Sequence, residues 1–138
     1  MPIIKFNASD MLSGDLIPAG WYKAEIVGFV PEPAKKDPSS TNYVPTFKLI
    51  NKGQATDGRE IKTWFNSKLI GMMAPMISAI EEKPLRKIVE EMDNGTFDFD
   101  TDSAIGKKLQ IKIKNEPYDQ KMTHKVDGFA AYDSAPSF

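Results

Sequence analysis

Between Trp21 and Val30 the residues alternate, with Tyr22, Ala24, Ile26, Gly28 and Val30 on one parity and Trp21, Lys23, Glu25, Val27 and Phe29 on the other. A period of two sends successive side chains to opposite faces of a strand, so the even set is the expected core face. Gly28 inside this strand predicts a bulge or sharp bend. The stretch 42–66, NYVPTFKLINKGQATDGREIKTWFN, predicts two strands joined by a polar turn. Phe47, Leu49, Ile61 and Phe65 are assigned inward, which leaves Lys48, Lys62 and Trp64 outward; a slip of one residue would exchange the two sets. Later, Leu109, Ile111 and Ile113 alternate with Lys108, Gln110, Lys112 and Lys114, and Met122 to Tyr132 reads as a last strand with Val126 inward and Gly128 as a second bulge position.

Between these strands the period changes. Leu69, Met72, Met73, Met76, Ile77 and Ile80 fall at helical spacing behind Asn66 or Ser67 as N-cap, with Pro75 in the first turn or at a kink. Pro84 opens a second helical piece with Leu85, Ile88, Val89 and Met92 on one face, ending at Asn94-Gly95. Its methionines read as core filler. The segment 31–41, PEPAKKDPSST, holds three prolines and is expected to be an exposed loop, either functional or a tolerated insertion. Phe97 and Phe99 alternate with Asp98, Asp100 and Asp102 in the manner of an edge strand. The element order is strand, loop, strand, turn, strand, helical insert, strand, turn, strand. This predicts a mainly β fold with a helical insert, a five-stranded OB-fold-like barrel with the helix between strands 3 and 4. A five-stranded sheet with the helix on one face fits the same pattern. Residues 1–133 are expected to be one domain, with 1–19 a lead-in arm whose Ile3, Ile4 and Phe6 pair on a sheet edge, and 134–138 a flexible tail.

Composition narrows the chemistry. A chain of 138 residues, 41% hydrophobic, suits one core. No apolar run approaches the length that spans a bilayer, and the first ten residues carry no basic leader, so a cytoplasmic protein is expected. With no cysteine and a single histidine, His124, nucleophilic and thiolate-metal chemistry lose their usual residues. Asp98, Asp100 and Asp102 resemble the start of a calcium loop, but the glycine and closing glutamate are missing and position 109 is Leu. No catalytic activity and no cofactor are expected.

The net charge of −1 argues against binding by bulk charge, yet the predicted strands are basic and the helical insert is acidic. On the strands, aromatics and lysines interleave. Flat rings can stack on bases while ammonium groups meet phosphates, the pattern of a single-stranded nucleic-acid surface. Trp64 is the leading stacking candidate, beside Lys62 and Lys48, with Tyr43 near the loop and Arg59 in the turn. Trp21 and Phe29 fall on the outward set of the first strand. Lys108, Lys112 and Lys114 form a phosphate track if their strand lies beside the hairpin. Ordinary core packing and a solvated face account for the same residues.

Three pieces together, IPAGWYKAEIVGF, FKLINKGQATDGREI and FDFDTDSAIGKKLQIKIKNEPYDQKMTHKVDGF, resemble phage-encoded single-stranded DNA-binding proteins. The resemblance runs from about Ile17 to Phe129. It implies an OB-fold and sequence-independent binding of single-stranded DNA in phage replication or recombination within the bacterial host, with phage or host replication proteins as partners, no membrane, and a monomer or small homo-oligomer. Many such proteins end in an acidic run closed by an aromatic residue that recruits partners. Here Phe138 keeps the terminal aromatic and is the candidate partner contact, but Asp133 alone stands in place of the acidic run. A phage structural or protein-interaction module on the same barrel is the rival expectation.

Overall fold

A computed structural model describes residues 3, 16–37, 39–92, 95, 99–118 and 121–133. Among these residues six strands form one antiparallel sheet: β1 (Gly20–Pro33), β2 (Thr41–Ile50), β3 (Glu60–Lys62), β4 (Phe65–Asn66), β5 (Lys108–Tyr118) and β6 (Lys121–Ala131). The hydrogen-bonded order is β3-β2-β1-β5-β6, with β4 also on β2. The long β1 lies at the centre because its amino-terminal half pairs on both sides, with β2 and with β5. The sheet is open and does not close into the expected barrel. Its two ends still meet across the core, where the Phe129 ring of β6 lies 6.0 Å from Phe47 and 6.3 Å from Phe65.

The alternation places the core as expected on β2, β3, β4 and β5: Phe47, Leu49, Ile61, Phe65, Leu109, Ile111 and Ile113 are buried together. On β1 the expectation holds only to Ile26. The register slips between Ile26 and Gly28, so the parity reverses and Phe29, assigned outward from the sequence, is buried with its ring 6.0 Å from Phe99. A bulge adds one residue to one strand and turns every later side chain over. Gly28 marked the bulge; its consequence for Phe29 follows from the same arithmetic. A second slip sets Lys112 opposite Gly128 and Ile113 opposite Val126, leaving Asp127 as the extra residue.

The third predicted strand is broken in two. Thr46 faces Lys62 and Tyr43 faces Phe65, so one register continues across the gap. Position 63 falls opposite Pro45, whose ring nitrogen has no hydrogen to donate; only the reverse bond, Thr63 N–H to the Pro45 carbonyl at 3.4 Å, remains. β1 runs longer than expected, through Pro31 to Pro33. Prolines are tolerated there because β1 beyond this point pairs with β2 alone.

Asn66 caps the insert by accepting the Lys68 N–H at 2.9 Å. A 3₁₀ segment (Ser67–Met73) with non-helical backbone at Leu69 leads into α1 (Ala74–Glu81), and Pro75 sits in its first turn. Met73, Met76 and Ile80 cover the sheet as predicted, while the kink leaves Leu69 and Met72 each 67% exposed. α2 (Leu85–Glu90) buries Ile88 alone. α3 (Thr101–Ala104) replaces the end of the expected acidic edge strand, because Asp100 caps it by accepting the Asp102 N–H at 2.9 Å. The rest of that expected strand, residues 96–98, the arm residues Ile4 and Phe6, and Phe138 lie outside the described residues. The expected end of α2 at Asn94-Gly95 is too late, because the helix stops at Glu90. Ile3 is exposed.

Candidate nucleic-acid interface

Two faces of the sheet divide the predicted site residues. Lys48 and Lys62 stand on the outward side of β2 and β3, opposite the buried Phe47 and Ile61. Trp64 follows between β3 and β4 and is 57% exposed. Its indole N–H donates to Glu32 Oε1 at 3.1 Å. Among the described residues no ion pair ties Lys48 or Lys62 to a carboxylate. Lys48 continues the outward row through Glu25 of β1 to Lys108 of β5, and these three share a shallow depression of about 610 Å³ with Ile50, Asp57 and Gly58.

Farther along β5 the row is Trp21, Lys112 and Gly128 on three adjacent strands. A methyl group at position 128 would come 3.3 Å from Lys112 Cβ and 3.6 Å from Trp21 Cη2, so the absence of a side chain lets the indole and the lysine stem lie over β6. Trp21 is therefore partly covered rather than presented. Tyr132, which the sequence reading did not single out, receives the Lys23 ammonium at 4.6 Å and the Lys108 ammonium at 5.8 Å from its ring centre. Its place next to these lysines depends on pairing between β1, β5 and β6, which no local pattern carries. Lys114 lies beyond and is held by Glu116 at 3.5 Å and Asp127 at 3.6 Å, while Lys125 reaches Glu116 at 3.2 Å. Hydrogen bonding from Lys125 is the first cause that lowers the Glu116 pKa.

Three candidates lie elsewhere. Phe29 is in the core. Tyr43 packs against the core from the inward side and borders an apolar cleft with Ile70, Met73 and Phe99. Arg59 is not a surface turn residue: it is 5% exposed, and its charge acts on Tyr22 and His124. The turn itself forms as read, with Asn51 N–H on Asp57 Oδ1 at 2.8 Å and Gly58 at φ 84°. Arg59 follows directly, and its carbonyl accepts the Leu49 N–H at 2.8 Å.

Around Arg59 a polar group closes the inner end of the sheet. Ile17 is fully buried; its N–H donates to His124 Nδ1 at 3.1 Å and its carbonyl accepts from Asn115 Nδ2 at 2.9 Å. Tyr22 Oη donates to the Pro18 carbonyl at 2.7 Å. Burial, then Arg59, pushes the His124 pKa down from 6.5, and burial raises that of Tyr22. His124 thus serves as a neutral acceptor for the backbone.

The loop between β1 and β2 is tied to the insert. Lys68 pairs with Asp37, Thr41 N–H donates to Ser67 Oγ at 3.1 Å, and Asn66 Nδ2 donates to Ser40 Oγ and Asn42 Oδ1, each at 3.0 Å. Between the two ends of the sheet, residues 63–66, Leu69 and Met72 face residues 125–129 across a cleft of about 420 Å³. Among the described residues no group of acidic or histidine side chains could hold a metal ion, and no helix is long and apolar enough to cross a membrane. No protein-family model matches the chain, and no curated protein sequence matches it.

Proposed function

We propose that this protein binds single-stranded DNA without strong sequence preference, through the outward face of β2 and β3. The supporting observation is Trp64: a large ring more than half exposed, on the same side of the sheet as Lys62 and Lys48, with neither lysine ion-paired among the described residues. A ring beside ammonium groups that are in no ion pair suits a base and its phosphates, even with Glu25 and Glu60 across from Lys48 on the neighbouring strands, and neither contact reads sequence. Lys23, Lys108 and Lys112 extend the basic surface across β1 and β5. The sheet is read as OB-like: five strands in the order of that fold, the third interrupted opposite Pro45, with an open seam between β3 and β6. The resemblance noted in the sequence points to replication or recombination of phage DNA in a bacterial cytoplasm, with phage or host replication proteins as partners and no catalysis.

Titration of the protein with oligo-dT while following tryptophan fluorescence tests this reading. Quenching that disappears in Trp64→Ala, and affinity that falls steeply with salt, are expected. Equal affinity for duplex and single strand overturns the stacking mechanism. A second reading, a phage structural or protein-interaction module, rests on Leu69, Ile70 and Met72, which the kinked 3₁₀ segment leaves exposed. Absence of any DNA binding at low salt would favour it.

A further inference from the structure

Trp64 sits where the backbone gives it least support. It lies outside β3 and β4, and at the neighbouring level Pro45 cannot complete the ladder. The side chain is nevertheless tethered, by the hydrogen bond from its indole nitrogen to Glu32 Oε1. Glu32 belongs to the distal part of β1, where it faces Asn42. β1 and the third-strand segment are not neighbours; β2 lies between them. The tether therefore spans β2, a distance of roughly two strand spacings, or about 10 Å. Val44 occupies the crossing. It faces Val30 on one side, falls opposite position 64 in the continuous register on the other, and alternates with the inward Tyr43 and Pro45. Its parity is outward, yet it is 2% exposed.

We propose that Glu32 is a positioning residue that lays the Trp64 indole across Val44, so that one ring face rests on β2 and the other is presented to a nucleobase. The inference rests on the reading of this face as a single-stranded DNA surface. With its N–H committed to Glu32, the ring offers a π-face and no free donor, which suits stacking on any base and not hydrogen-bonded readout. The same carboxylate repels phosphate. It directs the strand's backbone to the other side of the ring, where Lys62 and Lys48 stand. A tethered indole also loses less freedom when a base arrives, and this preorganisation favours binding.

The test uses the full chain and a labelled oligo-dT, with Trp64→Ala, Glu32→Ala, Glu32→Gln and the Glu32→Ala/Trp64→Ala double variant. Both residues are exposed, and a thermal melt of each variant is run beside the titration to check that it folds. Trp64→Ala is expected to weaken binding about 5- to 150-fold, the range of one stacked base. Glu32→Ala should weaken it roughly three- to tenfold. Glu32→Gln keeps an acceptor oxygen and loses the charge, so it should bind at least as well as the parent. In the Trp64→Ala background, Glu32→Ala should cost nothing further, since the two residues act as one unit. If Glu32→Ala and Glu32→Gln both bind as tightly as the parent, or more tightly, while Trp64→Ala binds weakly, Glu32 is only a charge near phosphate. The positioning role then falls and stacking on Trp64 stands. If Trp64→Ala binds like the parent, both readings fall.

Discussion

Lysines of the same kind stand on two parts of the outward face, and their surroundings differ. Lys48 and Lys62, on β2 and β3, have no ion-pairing carboxylate among the described residues; Lys114 and Lys125, on β5 and β6, are held by Glu116 and Asp127. Read along the chain, residues 104–125 form the most basic stretch. Read across the strands, its far end is neutralised. Asp127 falls just outside that stretch, and the bulge opposite Lys112 and Ile113 makes it the extra residue of β6. Charge along a sequence therefore does not measure the potential of a surface. Register brings charges together but side-chain distance decides which remain for a partner: Lys48 has Glu25 and Glu60 across from it and is in no ion pair among the described residues, whereas Lys114 and Lys125 are within 3.6 Å of theirs.

The largest effect removes what both regions stand on. Phe47 is fully buried between the central strands and the Phe129 ring. Phe47→Ala should cost about 3–5 kcal/mol, the usual penalty for emptying an aromatic core site, read as a lower urea midpoint. DNA binding should fall in proportion to the unfolded fraction. A normal midpoint would mean that the hairpin does not share its core with β6. The next effect separates the regions. Trp64→Ala should leave the midpoint near the parent value and weaken oligo-dT binding by about 1–3 kcal/mol. Loss of stability equal to the loss of binding would make Trp64 a cover for Val44 and nothing more.

How much of this was legible follows from the range of the signals. Period-two alternation is local, and it placed Phe47, Leu49, Ile61 and Phe65 inward and Lys48, Lys62 and Trp64 outward without knowledge of pairing. The N-cap at Asn66 and the turn at Asp57-Gly58 are equally local. Phe29 was misassigned because a bulge reverses parity and its position has to be known to within one residue. Arg59 was misassigned because a residue after a glycine turn looks exposed until Tyr22 and His124, distant in sequence, are folded beside it. The break opposite Pro45 needed the register, and so did the places of Glu32 and Tyr132. Closure of the sheet is the least local property of all: it depends on whether β3 and β6 exchange hydrogen bonds, and among the described residues they are not paired.

Salt separates the two groups of lysines further. Each lysine that meets a phosphate contributes about 0.7 to the slope of log affinity against log salt on single strands. Lys48→Ala and Lys62→Ala should each reduce the slope by about that amount. Lys114→Ala should change it by less than half as much, because its release also frees Glu116 and Asp127. Equal slopes for all three would mean that the ion pairs at the β5–β6 end open on binding and that DNA runs over the whole sheet.

The smallest effect belongs to the inner end, where binding is not expected to reach. His124 accepts the Ile17 N–H, and burial together with Arg59 keeps its pKa in the folded protein below the ordinary 6.5. Between the two values the unfolded chain carries a proton that the folded chain does not. Stability is therefore complete above about pH 6.5 and declines as the pH falls toward the folded value. Asp37, Glu91 and Glu116 are shifted below ordinary carboxylate values by their lysine partners, so their contributions are lost only at more acid pH. Urea midpoints at pH 5.5 and 7.5 should differ in the parent. The difference should shrink in His124→Asn, whose side-chain oxygen can accept the same N–H without titrating. Oligo-dT affinity should hold constant over this interval, because the chain's single histidine, His124, is engaged with the Ile17 backbone at the inner end and not on the Trp64 face. An affinity that tracked the His124 transition would show that the buried end and the outward face move together, and would remove the separation on which the comparison of the two lysine groups depends.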